Sequence, residues 1–220
     1  MAANRVVLWR HGQTDWNVVN RFQGHSDINL NEVGIFQAKQ AAQILAGMNP
    51  TAIISSDLMR AQKTAQALAD LSGLTIKIDA RLRETNCGKW EGLTGDEIRA
   101  TDHANLKEWS LGGDNPAGGT GDRRSEVGAR AKAAIDDFLN GKDEQTLIVA
   151  THGGTARAVI GSYLELPIPY WSKIGGLSNA SWSVLTHTPK GWLLTEHNAG
   201  SIPEPVLGQD SAAVIPDSVR

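Results

Sequence analysis

Short apolar segments alternate along this chain with segments whose apolar residues recur at helical spacing. The strand-like segments are 5–10, 52–55, 75–78, 147–151, 181–186 and 192–196. Helical spacing predicts helices over 32–46, 58–71, 122–139 and 155–164. Asn31 and Asp57 are expected to cap the first two of these helices.

This alternation strongly constrains the fold. Strands that alternate with helices form a mostly parallel sheet with helices on both faces. The last two strands are separated only by the turn Pro189-Lys190-Gly191, which is typical of an antiparallel hairpin. The expected fold is α/β, a three-layer α/β/α sandwich with a mostly parallel central sheet and an antiparallel C-terminal hairpin.

Length and local composition indicate one domain followed by a tail. The chain has 220 residues, which suits a single domain with a substantial core, expected over 1–199. The tail, 200–220, is rich in Pro, Ser and small residues and is expected to be loosely ordered. The glycine-rich stretch 112–121 is predicted to be a loop, either a mobile lid or disordered.

Charge and composition exclude several classes of partner. The formal net charge is −3 without a basic cluster, so nucleic acid is not an expected partner. No run approaches the about eighteen apolar residues of a membrane helix, so no membrane association is expected. A single cysteine, Cys87, excludes an internal disulfide and fits a reducing compartment. With no signal peptide ahead of the first strand, the chain is expected in the cytoplasm.

Two of the predicted strands end in a histidine followed by glycine. The first strand leads into Arg10-His11-Gly12, and the fourth leads into His152-Gly153. The carboxyl ends of parallel strands meet at one edge of a sheet, where open α/β folds bind their ligands. We therefore expect both imidazoles in one cleft.

Arg60 and Glu84 are expected to join that cleft. Arg60 lies one turn into the helix after the second strand, and Glu84 follows the third strand. Guanidinium groups fit phosphate oxygens, and nearby cations should depress the pKa of His11 and keep it a neutral nucleophile. His152 can stabilise charge on a transferring group, and a neutral Glu84 can protonate the leaving group. The combination predicts phosphoryl transfer.

Other interpretations of single residues remain open at this point. His11 and His152 can also be zinc ligands, although no third and fourth ligand follows at metal-site spacing. Cys87 is expected to be an inert small residue rather than a reactive thiol. The remaining histidines are expected to be structural or solvated: His25, His103, His187 and His197.

The four motifs together resemble, in order and approximate spacing, the signature of the histidine phosphatase superfamily, the phosphoglycerate mutase-like branch. The resemblance extends to about residue 198. It implies a phosphohistidine on His11, Glu84 as proton donor, and a phosphate pocket of Arg10, Arg60 and His152. It also implies further pocket residues, which are Asn17, Gln23, Gly24 and Gly153. No metal and no organic cofactor are implied for hydrolysis.

Departures from the family pattern favour hydrolysis over mutase activity. Mutases usually have Glu-Ser after Arg-His-Gly, where this chain has Gln13-Thr14. The segment 84–92 lacks the Arg and Tyr that hold phosphoglycerate in mutases. The segment between Glu91 and His152 is also too short for the mutase-type insertion.

The resemblance further implies a small phosphorylated sugar acid as substrate and a homodimer as the assembly. The carboxylate and sugar of such a substrate would meet polar side chains near Gln13, Asn17 or the 112–124 loop with Arg123 and Arg124. Three alternatives stay open. They are a phosphoglycerate mutase, a broad-specificity phosphatase of small phosphomonoesters such as phosphoserine, and a non-enzymatic phosphoprotein-binding module.

Overall fold

A six-stranded sheet forms the centre of the protein in the computed structural model, which describes residues 4–200. In spatial order its strands are β3 (Ile76–Ile78), β2 (Ala52–Ser55), β4 (Thr146–Thr151), β1 (Arg5–Arg10), β5 (Trp182–Thr188) and β6 (Gly191–Ala199). Strands β1 to β4 are parallel, whereas β5 pairs antiparallel with both β1 and β6. The predicted mostly parallel sheet with an antiparallel C-terminal hairpin is confirmed.

Two apolar clusters cover opposite faces of this sheet. Alternate residues of a strand point to opposite faces, so Val6 and Leu8 belong to one cluster and Val7 and Trp9 to the other. The first cluster includes residues of α5 (Arg124–Leu139) and α6 (Gly153–Tyr163), and the second includes residues of α2 (Glu32–Ala46) and α3 (Met59–Ser72). The predicted α/β/α sandwich is confirmed.

The caps of α2 and α3 show one correct prediction and one error. Asn31 caps α2, because its Oδ1 accepts a hydrogen bond from the backbone N–H of Gly34 at 2.8 Å. The prediction that Asp57 caps α3 is wrong, since Leu58 occupies the cap position. The Asp57 carboxylate instead accepts two hydrogen bonds from Arg83, at 2.8 and 2.6 Å. A bidentate, charge-assisted pair is stronger than a bond to one backbone N–H.

Helix α4 (Gly95–Ser110) is absent from the predicted elements. It begins with a capping box, in which Thr94 Oγ1 accepts from Glu97 N and Glu97 Oε2 accepts from Thr94 N. Asp102 departs from helical geometry (φ −144°, ψ 44°) and interrupts the apolar spacing, which explains the missed helix. A separate apolar cluster forms around α4 and contains Phe22, Cys87, Trp90, Ile98, Leu106, Trp109 and Ala117.

The glycine-rich stretch 112–121 is packed against the rest of the protein. Ala117 is fully buried, and its backbone N–H donates to the carbonyl of Asp122 at 3.0 Å. Gly118 has a φ of +56°, and a Cβ there would lie 2.3 Å from the Cys87 carbonyl oxygen. The expectation of a disordered stretch is therefore wrong, whereas the alternative of a mobile lid stays a prediction.

Two further expectations concern the ends and the surface of the chain. The predicted loose tail lies, after residue 200, outside the described residues. Among the described helices, none combines the length and the apolar character required to cross a bilayer.

Candidate active site

The two strand-end histidines lie side by side because β1 and β4 are neighbours in the sheet. Arg10 pairs in register with Thr151, so the next residues, His11 and His152, leave the sheet at the same edge. Their ring centroids are 5.3 Å apart. Both side chains are buried, with exposed fractions of 1% and 0%.

The hydrogen bonding of His11 determines where its ring proton lies. Its Nδ1 is 2.7 Å from the carbonyl oxygen of Gly12. A carbonyl oxygen can only accept, so Nδ1 carries the proton and Nε2 has the lone pair. Burial, followed by the positive charges of Arg60 and Arg10, lowers the pKa of His11 well below 6.5. The ring is therefore neutral at physiological pH, which is the form that a nucleophile requires.

Arg10 and Arg60 place two buried positive charges beside these rings. Arg60 is held by carbonyl oxygens, with Nη2 donating to Gly24 and Nη1 to Ser26, both at 2.8 Å. Arg10 Nη1 donates to the carbonyl of Leu177. Burial lowers the pKa of Arg60 to about 10, so it stays charged at neutral pH. Neutral carbonyl oxygens thus orient these two guanidinium groups beside the imidazole rings.

His152 is oriented by a serine that follows β2. Its Nε2 lies 2.9 Å from Ser56 Oγ, and that oxygen accepts a hydrogen bond from Leu58 N at 3.3 Å. When the Ser56 hydroxyl donates to Nε2, the ring proton lies on Nδ1, which is buried and has no partner within residues 4–200. Burial and then the charge of Arg60 lower the pKa of His152 well below 6.5. A neutral donor is thus left for a ligand oxygen.

Glu84 lies at the N-terminus of α6, the helix that begins directly after His152. Its Oε2 accepts from Gly154 N at 3.1 Å, and its Oε1 accepts from Thr155 N at 3.0 Å and from Thr85 N at 2.8 Å. The side chain is 2% exposed. The oxygens of Glu84 thus pair with backbone N–H groups that a helix N-terminus leaves without an intrahelical partner.

The side chain of Gln23 is buried without a hydrogen-bond partner among the described residues. Its side chain is 0% exposed, and neither its amide oxygen nor its amide nitrogen has a hydrogen-bond partner in the described part of the chain. Buried amides in folded proteins are normally paired. The next residue, Gly24, is the one whose carbonyl anchors Arg60. The Gln23 amide therefore has hydrogen-bonding capacity that the described residues do not use.

Asn17 and Gln13 face different parts of the structure. Asn17, in α1 (Asp15–Val18), accepts a hydrogen bond from Asn179 Nδ2 at 3.2 Å. The Asn179 Nδ2 group also donates to the His11 carbonyl, at 3.2 Å. The side-chain oxygen of Gln13 instead accepts from Asn31 Nδ2 at the cap of α2, at 3.0 Å. The structure therefore links Asn17 to the His11 carbonyl through the Asn179 side chain, whereas the side-chain oxygen of Gln13 bonds at the cap of α2.

The two arginines of the 112–124 loop both contact residues near that loop. The Arg124 guanidinium lies over the Trp109 ring at 3.9 Å and donates to the Trp109 carbonyl at 2.9 Å. Burial lowers the pKa of Arg124 to about 10. Arg123 donates to the Asp114 carbonyl at 2.5 Å.

Three polar residues that the sequence does not single out connect the segments of the site: Ser56, Thr64 and Asn179. Thr64 Oγ1 accepts from Gly12 N at 3.1 Å and donates to the Arg60 carbonyl at 2.7 Å. A lone hydroxyl or amide has no periodicity or spacing that would reveal such contacts. For Ser56, the only sequence signal that could have indicated a role in the site is its position four residues before Arg60.

The sequence also leaves open a role for the Cys87 thiol and for metal ligands. Burial, and then the negative charge of Glu84, raises the pKa of the Cys87 thiol and keeps it protonated, as expected for an inert cysteine. Within the described residues, no group of three or more His, Cys, Asp or Glu side chains is arranged to hold a metal ion.

Comparison with known families agrees with this geometry. Residues 6–200 match the family described as histidine phosphatase superfamily (branch 1). The chain belongs to this superfamily. This histidine phosphatase is 39% identical over 194 residues to the glucosyl-3-phosphoglycerate phosphatase of Mycobacterium tuberculosis, covering 84% of the chain and 86% of that protein.

Two further relatives complete the comparison. A probable phosphoglycerate mutase of Yersinia pestis is 35% identical over 189 residues, which cover 86% of this chain and 87% of that protein. The solved structure of mycobacterial glucosyl-3-phosphoglycerate phosphatase in complex with VO3 matches with a TM-score of 0.83 and 37% identity, covering 89% of this chain and 99% of that one. Family and relatives together make this protein a phosphatase enzyme of the histidine phosphatase family.

Proposed function

We propose that this histidine phosphatase hydrolyses phosphate monoesters without a metal ion, through a phosphoryl group carried transiently on Nε2 of His11. The main support is the hydrogen bond between His11 Nδ1 and the Gly12 carbonyl, which leaves a neutral ring with its lone pair on Nε2. Arg10 and Arg60 supply the buried positive charge that attracts a phosphate dianion.

The first step transfers the phosphoryl group to the protein. The Nε2 lone pair of His11 attacks phosphorus, and the ester bond between phosphorus and the alcohol oxygen breaks. The departing oxygen takes a proton from the Glu84 carboxyl group and leaves as the alcohol. His152 and the two arginines stabilise the charge on the transferring group.

The second step returns the protein to its starting state. Water attacks the phosphorus on His11 while the Glu84 carboxylate takes a proton from that water. The bond between phosphorus and Nε2 breaks, its electron pair returns to the ring, and inorganic phosphate is released. We propose that the unpaired amide of Gln23 binds an oxygen of the substrate in both steps.

We propose glucosyl-3-phosphoglycerate as the substrate, with glucosylglycerate and phosphate as products, a reaction of methylglucose lipopolysaccharide biosynthesis. The support is the 39% identity to mycobacterial proteins of that name over most of both chains. The departures from the mutase pattern at Gln13-Thr14 and over 84–92 also favour hydrolysis.

A substrate panel tests this proposal. The purified protein, with a metal chelator present, is incubated with glucosyl-3-phosphoglycerate, mannosyl-3-phosphoglycerate, phosphoserine and 3-phosphoglycerate, and released phosphate is measured. We expect the highest kcat/KM for glucosyl-3-phosphoglycerate. Similar values for all four esters would instead indicate a broad-specificity phosphatase.

Two other outcomes would overturn the proposed activity. Conversion of 3-phosphoglycerate into 2-phosphoglycerate without free phosphate would identify a mutase. Release of no phosphate from any ester, generic aryl phosphates included, would contradict enzymatic hydrolysis and favour a phosphoprotein-binding module.

A further inference from the structure

Arg130, in α5, contacts the backbone on which Glu84 is carried. Its Nη1 donates to the carbonyls of Arg81 and Arg83, at 2.6 and 2.7 Å, and its Nη2 donates to the carbonyl of Glu84 at 2.8 Å. A single guanidinium group thus binds three carbonyl oxygens within four residues of chain, ending at Glu84 itself.

Asp122 extends this arrangement to the other side of Glu84. Its Oδ2 accepts from Arg130 Nη2 at 3.1 Å and from the backbone N–H of Asn86 at 2.9 Å. The Arg130 and Asp122 side chains are only 23% and 26% exposed, so solvent screens their pairing less than it screens a fully exposed pair. Arg130 and Asp122 together bind the chain both before and after the proposed proton donor.

The segment around Glu84 lacks regular structure that could position it. A short 3₁₀ turn, Ala80–Leu82, ends just before it, and residues 83–87 lie in neither a helix nor a strand. Backbone groups in such a segment need partners outside any ladder, and here Arg130 supplies one for each of three carbonyls. His25 Nε2 also donates to the Glu84 carbonyl at 2.9 Å, and Thr155 Oγ1 also donates to the Arg83 carbonyl at 2.7 Å. The helix that carries Arg130, α5, packs with α6, whose first turn binds the Glu84 carboxylate.

We infer that Arg130 is a positioning residue for Glu84, setting the backbone from which the proton donor reaches the leaving group. The inference rests on the proposed role of Glu84. Arginine suits this task because its planar fork can reach several acceptors at once, whereas lysine offers one compact ammonium. An error of about 1 Å in the place of a catalytic group can cost about 100-fold in rate.

Leaving-group dependence provides the test, because only a basic leaving group needs a proton. The variants Arg130→Met, Arg130→Lys, Asp122→Asn and Glu84→Gln are assayed for kcat/KM on phenyl phosphate and on dinitrophenyl phosphate, whose leaving group departs readily as an anion. Arg81→Met is the matched control. It lies in the same segment and loses the ion pairs to Asp79 and Asp137, but it keeps the carbonyl that Arg130 binds.

We expect Arg130→Met to lower kcat/KM about 100-fold on phenyl phosphate and to leave dinitrophenyl phosphate hydrolysis nearly unchanged. Glu84→Gln should show the same selectivity. A variant that combines Arg130→Met with Glu84→Gln should be no slower than Glu84→Gln alone, since both changes act on one group. Arg81→Met should resemble the unsubstituted enzyme on both esters. If Arg130→Met does not fold, Arg130→Lys and Asp122→Asn should also slow phenyl phosphate more than dinitrophenyl phosphate, with a smaller loss in kcat/KM.

Two results would overturn the inference, and they can be told apart. Equal slowing of both esters by the Arg130 and Asp122 variants, with Glu84→Gln still selective, would show that Arg130 acts only on general structure. Equal slowing of both esters by Glu84→Gln would remove the proposed proton donor and the inference with it.

Discussion

The two halves of the candidate site are built in different ways. The half that contains His11 and His152 comes from the ends of two adjacent parallel strands, paired in register from Arg5 with Thr146 to Arg10 with Thr151. The half that contains Glu84 comes from an irregular segment, which is bound by side chains and backbone groups of α5 and α6.

The two halves therefore differ in whether local sequence or contacts between distant residues determine the position of the side chains. At the strand edge, buried strands bring the histidines together, and each strand is visible in a few consecutive residues. Around Glu84, the contacts join residues that are far apart in sequence, such as Glu84 with Thr155 and Asn86 with Asp122. We therefore expect changes at the strand edge to abolish the chemistry, and changes around Glu84 to alter which esters are cleaved.

Replacement of His11 should have the largest effect. His11→Ala removes the proposed phosphoryl acceptor, so kcat should fall by about 10⁴-fold or more, and rapid acid quenching should trap no phosphorylated protein. His103→Ala is the control, because His103 is exposed and lies in α4. Turnover in His11→Ala well above the uncatalysed background would rule out the proposed mechanism. It would also show that the strand-edge half of the site is not required for the chemistry.

Gly12→Ala tests how closely the strand edge approaches α2. A Cβ at Gly12 would lie 2.3 Å from the backbone oxygen of Gly34, which cannot move aside as a flexible side chain would. We expect a loss of about 3 kcal/mol in the free energy of unfolding, measured by urea denaturation. In the control, Gly175→Ala, the new Cβ meets only His197 Nε2 at 3.4 Å, and stability should change little. Equal stability of both variants would contradict the close approach.

The pH dependence of stability tests the two buried histidines together. Their pKa values are lowered well below 6.5, first by burial and then by Arg60, whereas in the unfolded chain they titrate near 6.5. Below about pH 6.5 the unfolded state therefore binds more protons, so stability falls as the pH falls, by up to about 1.4 kcal/mol per pH unit for each histidine.

Urea denaturation between about pH 7 and about pH 5 measures this slope. His152→Gln should show a shallower slope than the unsubstituted protein, because one of the two groups no longer titrates. An identical slope in both proteins would mean that His152 is not held neutral by its surroundings. The acid limb of the activity profile should likewise lie well below pH 6.5, since protonation of His11 removes the lone pair of the proposed nucleophile.

Ser56→Ala should have the smallest of these effects. The change removes the oxygen that lies 2.9 Å from His152 Nε2, so the ring loses its orienting partner, and kcat/KM should fall about tenfold. Ser55→Ala is the matched control. Ser55 is also buried, and among the described residues its hydroxyl donates to the Ser56 carbonyl rather than to His152. A similar loss in both variants would indicate a packing effect rather than an effect on His152.

Much of the fold was predictable, because strong local patterns determine it. The bounds of β1 and α2 agree with the apolar spacing and with the Asn31 cap. Helix α4 was missed because its pattern is interrupted at Asp102, and the cap at Asp57 was misassigned because Arg83, distant in sequence, binds that carboxylate.

The site was predictable to the extent that strand ends and family motifs mark it. Those signals place His11, His152, Arg60 and Glu84 near one another, but they do not show the direction of a loop side chain. Gln13 illustrates this limit, since its side-chain oxygen serves the cap of α2. The homodimer and the cytoplasmic location stay predictions from the sequence and from family resemblance.

The contact between His11 Nδ1 and the Gly12 carbonyl has a consequence for the product of the proposed phosphoryl transfer to His11. Two regioisomers of phosphohistidine exist, and they differ in the ring nitrogen that carries phosphorus. Because Nδ1 is hydrogen-bonded to the Gly12 carbonyl, only Nε2 is free to accept phosphorus. Phosphorylation on Nε2 gives the tele isomer. Phosphorus NMR of the trapped protein should therefore show one regioisomer, and the pros form should be absent.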